Sequence, residues 1–496
     1  MKISSVLIAN RGEIAVRIAK TAKRLGLKVY GLSSELDDKP LHQKYCDKTL
    51  FLNGKTLKET YLNVAQILSL MQAEKIMAVH PGYGFLSENE DFAKACEDAG
   101  VVFIGPKSPT IQAMGSKANA KNLMIKAGVP VVPGYQGADQ SLKILTTEAQ
   151  KIGAPLLVKA SAGGGGKGMR IVRDLKDLES AIVAAKSESL KSFGDDHLIL
   201  EKYIDNPRHI EFQIFGDAHG NVIHLGEREC SIQRRHQKII EETPSPSLGE
   251  MARQQMAKAA VDCGKALGYQ NAGTVEFIVD EKDNFYFLEV NTRLQVEHPI
   301  TELRTGLDLV EWQIRVAEGE PLPLKQNEVK FSGHALECRV YAEDPSAGFL
   351  PSIGELYVCD EPVAQNLRLD SGVEAGSQIT LHFDPMIAKV VTWAPDRAQA
   401  IAQMQDALKE YAILGVTTNQ AFLLDVLVHA SFAKGQVDTH FIQKHLPDWK
   451  DVPNAAIVAL AKKTWRSVAV VSQQGVTVQK STNIWTHLQN FRIGSP

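Results

Sequence analysis

Residues 273–291 read GTVEFIVDEKDNFYFLEVN. Two runs rich in β-branched and aromatic residues flank the turn residues Asp280 to Asn284, the pattern of an antiparallel hairpin. If the hairpin is symmetric, Glu276 stands opposite Glu289, because both are equally far from its centre. Directly opposed residues have Cβ atoms about 5 Å apart, so two carboxylates there repel unless a cation sits between them. Mg²⁺ (or Mn²⁺) suits the place, being hard and typically held by one or two carboxylates plus substrate phosphates. The plainer alternative is that both glutamates face solvent. The apolar Phe277, Phe287 and Val290 take the other face and do not decide between the two. Repulsion also implies that removing either glutamate stabilises the metal-free protein.

The alternation runs on through EVNTRLQVEH, residues 289–298. If the segment stays extended, Glu289, Asn291, Arg293, Gln295 and Glu297 share one face. A solvated ladder has that look, and so does a site with a metal end and a substrate end. Arg293 offers a planar fork for an oxyanion, and Glu297 offers a base. A further cluster, GERECSIQRRHQKIIEE, crowds Gln233, Arg234, Arg235, His236 and Lys238 together. The acidic Glu241-Glu242 that follows and the near-neutral chain favour a small anionic ligand over nucleic acid.

Upstream, KASAGGGGKGMR (residues 159–170) sets Gly163, Gly164, Gly165 and Gly166 between Lys159 and Lys167. Backbone N–H groups in such a turn cradle phosphate oxygens. It is not a Walker A loop, since Gly168 stands where Ser or Thr is needed. APLLVKAS and GMRIVRD read as strands on either side, so the glycines form a hairpin, either a lid over a nucleotide or a flexible surface turn.

The 496 residues call for several domains, and 44% hydrophobic with 23% charged residues describes a globular chain without a strong field (net charge −3). Six scattered cysteines without a CxxC pair speak against zinc or disulfides and for a reducing compartment. With no secretory h-region and no apolar run near about 20 residues, the expectation is a cytoplasmic protein that binds neither membrane nor nucleic acid. The first hundred residues alternate strand and helix patterns (SVLIA, GEIAVRIAKTAKRLG, KVYGLS, YLNVAQILSLMQAE, KIMAVHPG, NEDFAKACEDAG, VVFIGP), the rhythm of a parallel sheet. The first turn, ANRGE, lacks a dinucleotide fingerprint. TIQAMGSKANAKNLMIKAGVP reads as mostly helical, and the chain from GHALECRVYAEDP onward as strand-rich with two late helices at about 397–411 and 419–433. The last fifty residues change character, with a helix expected at NAAIVALAKKTW followed by short strands.

Together these stretches resemble the biotin carboxylase family of the ATP-grasp superfamily. The likeness runs through residues 1–446 in IANRGEIAVRI, HPGYGFLSEN, KASAGGGGKGMR, EKYIDNPRHIE, ERECSIQRRHQKIIEE, EVNTRLQVEHP, ECRVYAEDP and FDPMIAKVV. Ser116, where the stand-alone subunit of acetyl-CoA carboxylase usually has Asp, and the tail NIWTHLQNFRIGSP are most like α-subunits of methylcrotonyl or propionyl type. The resemblance implies a multidomain α/β and α+β fold. It comprises a Rossmann-like N-terminal domain (1–117), an ATP-grasp domain (118–320) with a mobile glycine-rich lid at about 130–203, and a strand-rich C-terminal domain (321–446), followed by a partial tail (447–496). It implies ATP phosphates on Lys117, Lys159 and the Gly163–Gly166 backbone, and adenine against Glu201, Lys202 and Ile204. Ribose and phosphates fall to His209, Gln233 and His236, and the metal to Glu276, Glu289 and Asn291. Bicarbonate falls to Lys238, Arg293, Gln295 and Val296, the base is Glu297, and Arg339 holds biotin or carboxyphosphate. The partners implied are a biotin carboxyl carrier, a carboxyltransferase subunit and further copies of the chain. No Ala-Met-Lys-Met carrier motif occurs, so biotin is expected as a carried substrate not attached here. Another ATP-grasp ligase would share the hairpin without RRHQK and NTRLQVEHP, and the full set of site residues weighs against a non-catalytic scaffold.

Overall fold

The structure, a computed structural model, describes residues 2–37, 39–161, 169–235 and 237–451. Strands β1 (Ser5–Ile8), β2 (Lys28–Ser34), β3 (Lys48–Leu52), β4 (Ala78–His80) and β5 (Val102–Phe103) form one parallel sheet in the order β3-β2-β1-β4-β5. Both faces are covered, as parallel sheets require. Val6 and Ile8 enter one cluster with Ile14 and Ile18 of the helix Gly12–Arg24. Leu7, between them, enters another with Met71 and Phe92 of the helices on the far side. The edge strand β3 is absent from the sequence reading. Its KTLFL alternates exposed and covered residues, and Phe51 stays half exposed, so neither a buried run nor a clean apolar face marks it.

The TIQAMGSKANAKNLMIK stretch is two helices, Ser108–Gly115 and Lys117–Lys126, broken at Ser116. Ser116 caps the second helix, its hydroxyl accepting from Asn119 N. Ser and Asp are both good at that position, which accounts for the departure noted above.

The stretch expected to form the lid contains a small sheet ordered β6-β9-β7-β8 from β6 (Gly134–Tyr135), β7 (Leu156–Ala160), β8 (Arg170–Val172) and β9 (Leu198–Lys202). Helices Leu142–Ile152 and Leu178–Phe193 share a core with it that includes Leu145, Val158, Ile182 and Leu200. β7 and β8 pair antiparallel, Leu156 opposite Val172. Gly163–Gly166, the Lys117 side chain, His236 and residues 452–496, which hold the helix and strands expected in the tail, lie outside the described residues.

The central element is an eight-stranded sheet. It contains β10 (Arg208–Gly216), β11 (Val222–Arg234), β12 (Gln237–Thr243), β13 (Asn271–Val279), β14 (Phe285–Asn291) and β15 (His334–Tyr341), and ends in Met386–Ala394 and Leu367–Ser371. Its order is β14-β13-β10-β11-β12-β15, then those last two. The β12–β15 pairing therefore joins the strands that follow the lid to those of the C-terminal third.

The hairpin β13–β14 is not symmetric. Val279, Ile278 and Phe277 pair with Phe285, Tyr286 and Phe287, then the register slips by one and Glu276 meets Glu289. The slip leaves Leu288 as the extra residue of a bulge. Without it, strict alternation would turn Glu289 to the core with Phe285 and Phe287. With it, Phe287 and Val290 both pack into the core, while Leu288 and Glu289 line the cleft described next. The expected pairing stands, but the bulge makes it, not symmetry.

Candidate functional site

A cleft of about 1050 Å³ lies between the small sheet β6–β9, one face of β10–β14 and the loops after β1 and β4, with Tyr83 and Phe383 among its walls. Of the candidates among the described residues, Lys159, Glu201, Lys202, Ile204, His209, Gln233, Lys238, Glu276, Glu289, Asn291, Arg293, Gln295, Val296 and Arg339 all line it. Glu297 is buried behind this lining, fully covered, at the N-terminal end of the helix His298–Thr305, which its side chain does not cap.

Strand register builds the floor. Glu211 of β10 stands opposite Arg228 on one side and Glu276 on the other, and Glu276 stands opposite Glu289. This row of one guanidinium and three carboxylates crosses four strands. Arg228 has no exposed surface and donates to Glu211 Oε1 (2.5 Å), Gln213 Oε1 (2.9 Å), Thr301 Oγ1 (2.9 Å) and Thr274 Oγ1 (3.1 Å). Lys238 reaches over from β12 and donates to Glu211 Oε2 (2.5 Å), Glu276 Oε1 (2.8 Å) and Glu297 Oε1 (2.8 Å). Burial works against its charge, but the three carboxylates hold the ammonium well above its ordinary range.

The acids divide by their partners. Glu297 has Lys238 and also Arg339, whose Nη2 donates to Oε2 at 2.9 Å. Burial opposes its charge, yet these cations hold it well below the usual carboxylate range. It is ionised and buried, in hydrogen-bond contact with cations. Glu276 pairs with Lys238 and, at 2.9 Å, with His209 Nε2, and accepts from Asn291 Nδ2 (2.9 Å) and Gln295 Nε2 (3.2 Å). Against burial, Lys238 and His209 pull it too well below the usual range. In His209 the effect of burial is outweighed by Glu276, which raises the ring above its ordinary value. Gln233 Nε2 lies 2.7 Å from its Nδ1.

Beyond Asn291 the chain leaves the extended conformation, so the long shared face does not persist as a strand. The side chains still converge. Arg293 donates to Gln295 Oε1 (2.9 Å), Asn291 Oδ1 (3.3 Å) and, from Nε, to Glu88 Oε2 (3.0 Å). Across the cleft, the lid carries Glu201 between Lys159 (2.5 Å) and Lys121 (3.1 Å). Burial pushes the Glu201 carboxyl up, but the lysines bring it below its ordinary value. Val132, Met169, Ile204, Ile278 and Leu288 give the cleft an apolar stretch suited to a flat ring.

Glu276 and Glu289 present hard oxygens on facing strands at the cleft, with Glu276 ionised. This donor set fits Mg²⁺ or Mn²⁺. The residues missed from sequence are those that support the lining: Lys121, Glu211, Arg228 and Glu241 buried behind it, and the exposed Glu88 beside Arg293. A signal for Glu211 existed, since His209, Glu211 and Gln213 alternate with Ile210, Phe212 and Ile214 in a strand that is buried throughout.

Three family models match in sequence order. "Biotin carboxylase, N-terminal domain" covers residues 2–111, "Carbamoyl-phosphate synthase L chain, ATP binding domain" 116–325, and "Biotin carboxylase C-terminal domain" 337–444. The chain is 44% identical to the biotin carboxylase domain of Hydrogenobacter thermophilus 2-oxoglutarate carboxylase, with a TM-score of 0.87 over 91% of this chain and 100% of that one. That structure is a dimer with MgADP, ADP and bicarbonate. The chain belongs to the biotin carboxylase family. It is an ATP-dependent ligase that carboxylates biotin, on the multidomain α/β fold expected from its motifs. A biotin carboxylase from Campylobacter jejuni, described as a β-γ-ATP complex, is 45% identical, with a TM-score of 0.86 over 90% of this chain and 99% of that one. The mitochondrial methylcrotonoyl-CoA carboxylase subunit alpha of Arabidopsis thaliana is 49% identical over 99% of this chain and 67% of its own length. The mitochondrial propionyl-CoA carboxylase alpha chain of Homo sapiens is 49% identical over 89% and 61%. The biotin carboxylase thus spans about two thirds of the length of these relatives.

Proposed function

We propose that this cleft activates bicarbonate with ATP and passes the carboxyl group to biotin held on a carrier. The observation that carries the reading is Glu297: ionised, shielded from water, and touching Lys238 and Arg339 at the inner end of the cleft. A carboxylate so placed can take the proton of bicarbonate, and the deprotonated oxygen then attacks the γ-phosphorus of ATP in line. Lys238, Arg293, Gln295 and the Val296 backbone hold the bicarbonate. Lys117, Lys159 and the Gly163–Gly166 backbone neutralise and cradle the phosphates. Adenine occupies the apolar stretch by Glu201, Lys202 and Ile204, and His209, Gln233 and His236 hold ribose and phosphates. Glu276, Glu289 and Asn291 hold Mg²⁺ or Mn²⁺, which supplies charge neutralisation on the phosphates when bound. Carboxyphosphate forms and breaks to CO₂ and phosphate, and the phosphate takes the N1 proton of biotin. Arg293 stabilises the resulting enolate, and Arg339 orients biotin or the carboxyphosphate. A closed lid keeps water from the reactive intermediate.

The likeness to methylcrotonoyl- and propionyl-CoA carboxylase α-subunits supports a role as the biotin carboxylase component of an acyl-CoA carboxylase of that kind. Its partners would be a biotin carboxyl carrier, a carboxyltransferase subunit and a second copy of itself, since a related domain is a dimer. Among the described residues no helix is long and apolar enough to cross a membrane. Six free cysteines suit a reducing compartment, the cytoplasm or, as in the relatives' names, mitochondria. The test is ATP hydrolysis by the purified chain with and without bicarbonate, free biotin and a biotinylated carrier domain. Bicarbonate dependence, with faster turnover on biotin and much higher kcat/KM on the carrier, is the expected outcome. Indifference to bicarbonate and to both forms of biotin overturns the reading.

A further inference from the structure

Two carboxyls lie behind Arg339 that no step above uses. β12 pairs with β15 so that Glu241 stands opposite Glu337, and neither has exposed surface. Arg339 Nη2 is 2.5 Å from Glu241 Oε1 and 2.9 Å from Glu297 Oε2. One terminal nitrogen is thus shared between a carboxylate at the cleft and one inside the sheet. Neither Glu337 nor Glu241 has a hydrogen-bond partner for its carboxyl oxygens, and Glu241 meets Arg339 as an ion pair. A buried carboxyl facing another takes a proton rather than a second charge. Burial, with Glu241 beside it, holds Glu337 well above the usual range despite Lys389 and Arg339 nearby. Burial raises Glu241 too, to about 7, with Arg339 pulling against it, so of the two it is Glu241, touching the guanidinium, that carries charge the more readily.

We propose that Glu241 is a positioning residue for Arg339, holding the guanidinium from the sheet side at the moment Glu297 takes up a proton. The inference rests on Glu297 being the base. Once protonated, Glu297 loses its charge, and its contact with Arg339 keeps only a hydrogen bond from a cation to a neutral acceptor, without the attraction of opposite charges. Arg339, only 8% exposed, would then be a nearly unpaired buried cation free to swing toward the phosphates. Glu241, fixed on a central strand, keeps it where biotin needs it.

The test uses the whole chain in four variants. Glu241→Gln keeps the shape and removes the charge. It should lower kcat for biotin carboxylation on the order of 10-fold to 10²-fold, the scale of a misplaced catalytic group, while KM for ATP and the thermal shift caused by ADP stay within about twofold of the parent. Glu337→Gln copies the protonated side chain and should stay near the parental rate. Glu241→Asp keeps the charge and should recover part of the loss. It also serves as the measure if Glu241→Gln does not fold, in which case it should lower kcat with ADP binding kept. Parental kcat in Glu241→Gln, or in Glu241→Asp where that alone folds, overturns the role. So does a kcat loss matched by an equal rise in KM for ATP, which would mark general loosening. Glu297→Gln separates the levels. If it is inactive while Glu241→Gln is unimpaired, only the positioning role falls. If it carboxylates at the parental rate, the base assignment falls.

Discussion

Lys238 and Glu201 are inverse arrangements of the same parts. On the sheet, one ammonium is ringed by Glu211, Glu276 and Glu297. On the lid, one carboxylate is gripped by Lys121 and Lys159. The two rings differ in balance. Glu211 and Glu297 have second cations in Arg228 and Arg339, so three acids meet three cations, and Lys238 is left to Glu276, which a histidine and two amides complete. Glu276 is also the acid set opposite Glu289 by the bulge. The lid keeps a surplus positive charge. The facing acids of β13 and β14 offer one side of the cleft oxygens that suit a cation, and the lysines offer the other side charge that suits an anion.

Breaking the sheet ring should have the largest effect. Lys238→Met leaves three buried carboxylates without their shared cation, and loss of one partner from a buried ion pair costs about 3–5 kcal/mol. Urea unfolding should show it, together with loss of carboxylation. A variant as stable as the parent would mean that the ring is not coupled. Next comes Arg293, a cation outside both rings. Arg293→Ala should leave ATP binding nearly intact and lower kcat for biotin carboxylation by about 10²-fold or more. Carboxylation at the parental rate would remove it from the chemistry.

The metal end follows. Glu276→Gln and Glu289→Gln should each raise the Mg²⁺ concentration needed for half-maximal ATPase severalfold. Repulsion alone would have both variants more stable without metal. Lys238 and His209 reverse that sign for Glu276, whose folded pKa is depressed. Its stabilisation is present above the unfolded value near pH 4.3 and is lost as pH falls through the folded one. Glu276→Gln should therefore be less stable than the parent at pH 7, by thermal melting in EDTA, and the gap should shrink in acid. A stabilised Glu276→Gln would show that repulsion wins after all.

The smallest effect sharpens the lid side. Glu201 is held below its ordinary value by the lysines, so it too stabilises above about pH 4.3. In Lys121→Met with Lys159→Met only burial is left acting on it, and its folded pKa should rise above the unfolded one. The double variant should then lose stability relative to the parent as pH climbs from about 4 to 7. A constant difference across that range would contradict the pairing.

The sequence made much of the cleft legible because Glu276, Glu289 and Asn291 sit in one hairpin, and Arg293 follows at the same interval of two although the strand has ended. What supports them was hidden for the opposite reason. Glu241 and Arg228 meet their partners through pairings between strands far apart in the chain, Glu241 with Glu337 and Arg228 with Glu211, and no local period encodes a register. Glu88 reaches Arg293 across 205 residues. β3 escaped because an edge strand needs no continuous apolar face, and the bulge at Leu288 because one extra residue leaves the composition of a strand unchanged.

The seam between β12 and β15 bears on how this protein comes apart. Four register pairs, Ile240–Cys338 to Thr243–Ala335, stitch the strands after the lid to those of the C-terminal third. A protease nick in the connection at 319–333 would leave both pieces clasped. Expressed alone, either piece would carry a raw strand edge of unpaired amides bordered by isoleucine, leucine and cysteine, an invitation to aggregate. Amide protons along the seam should be released together, in one cooperative opening that takes both lobes with it.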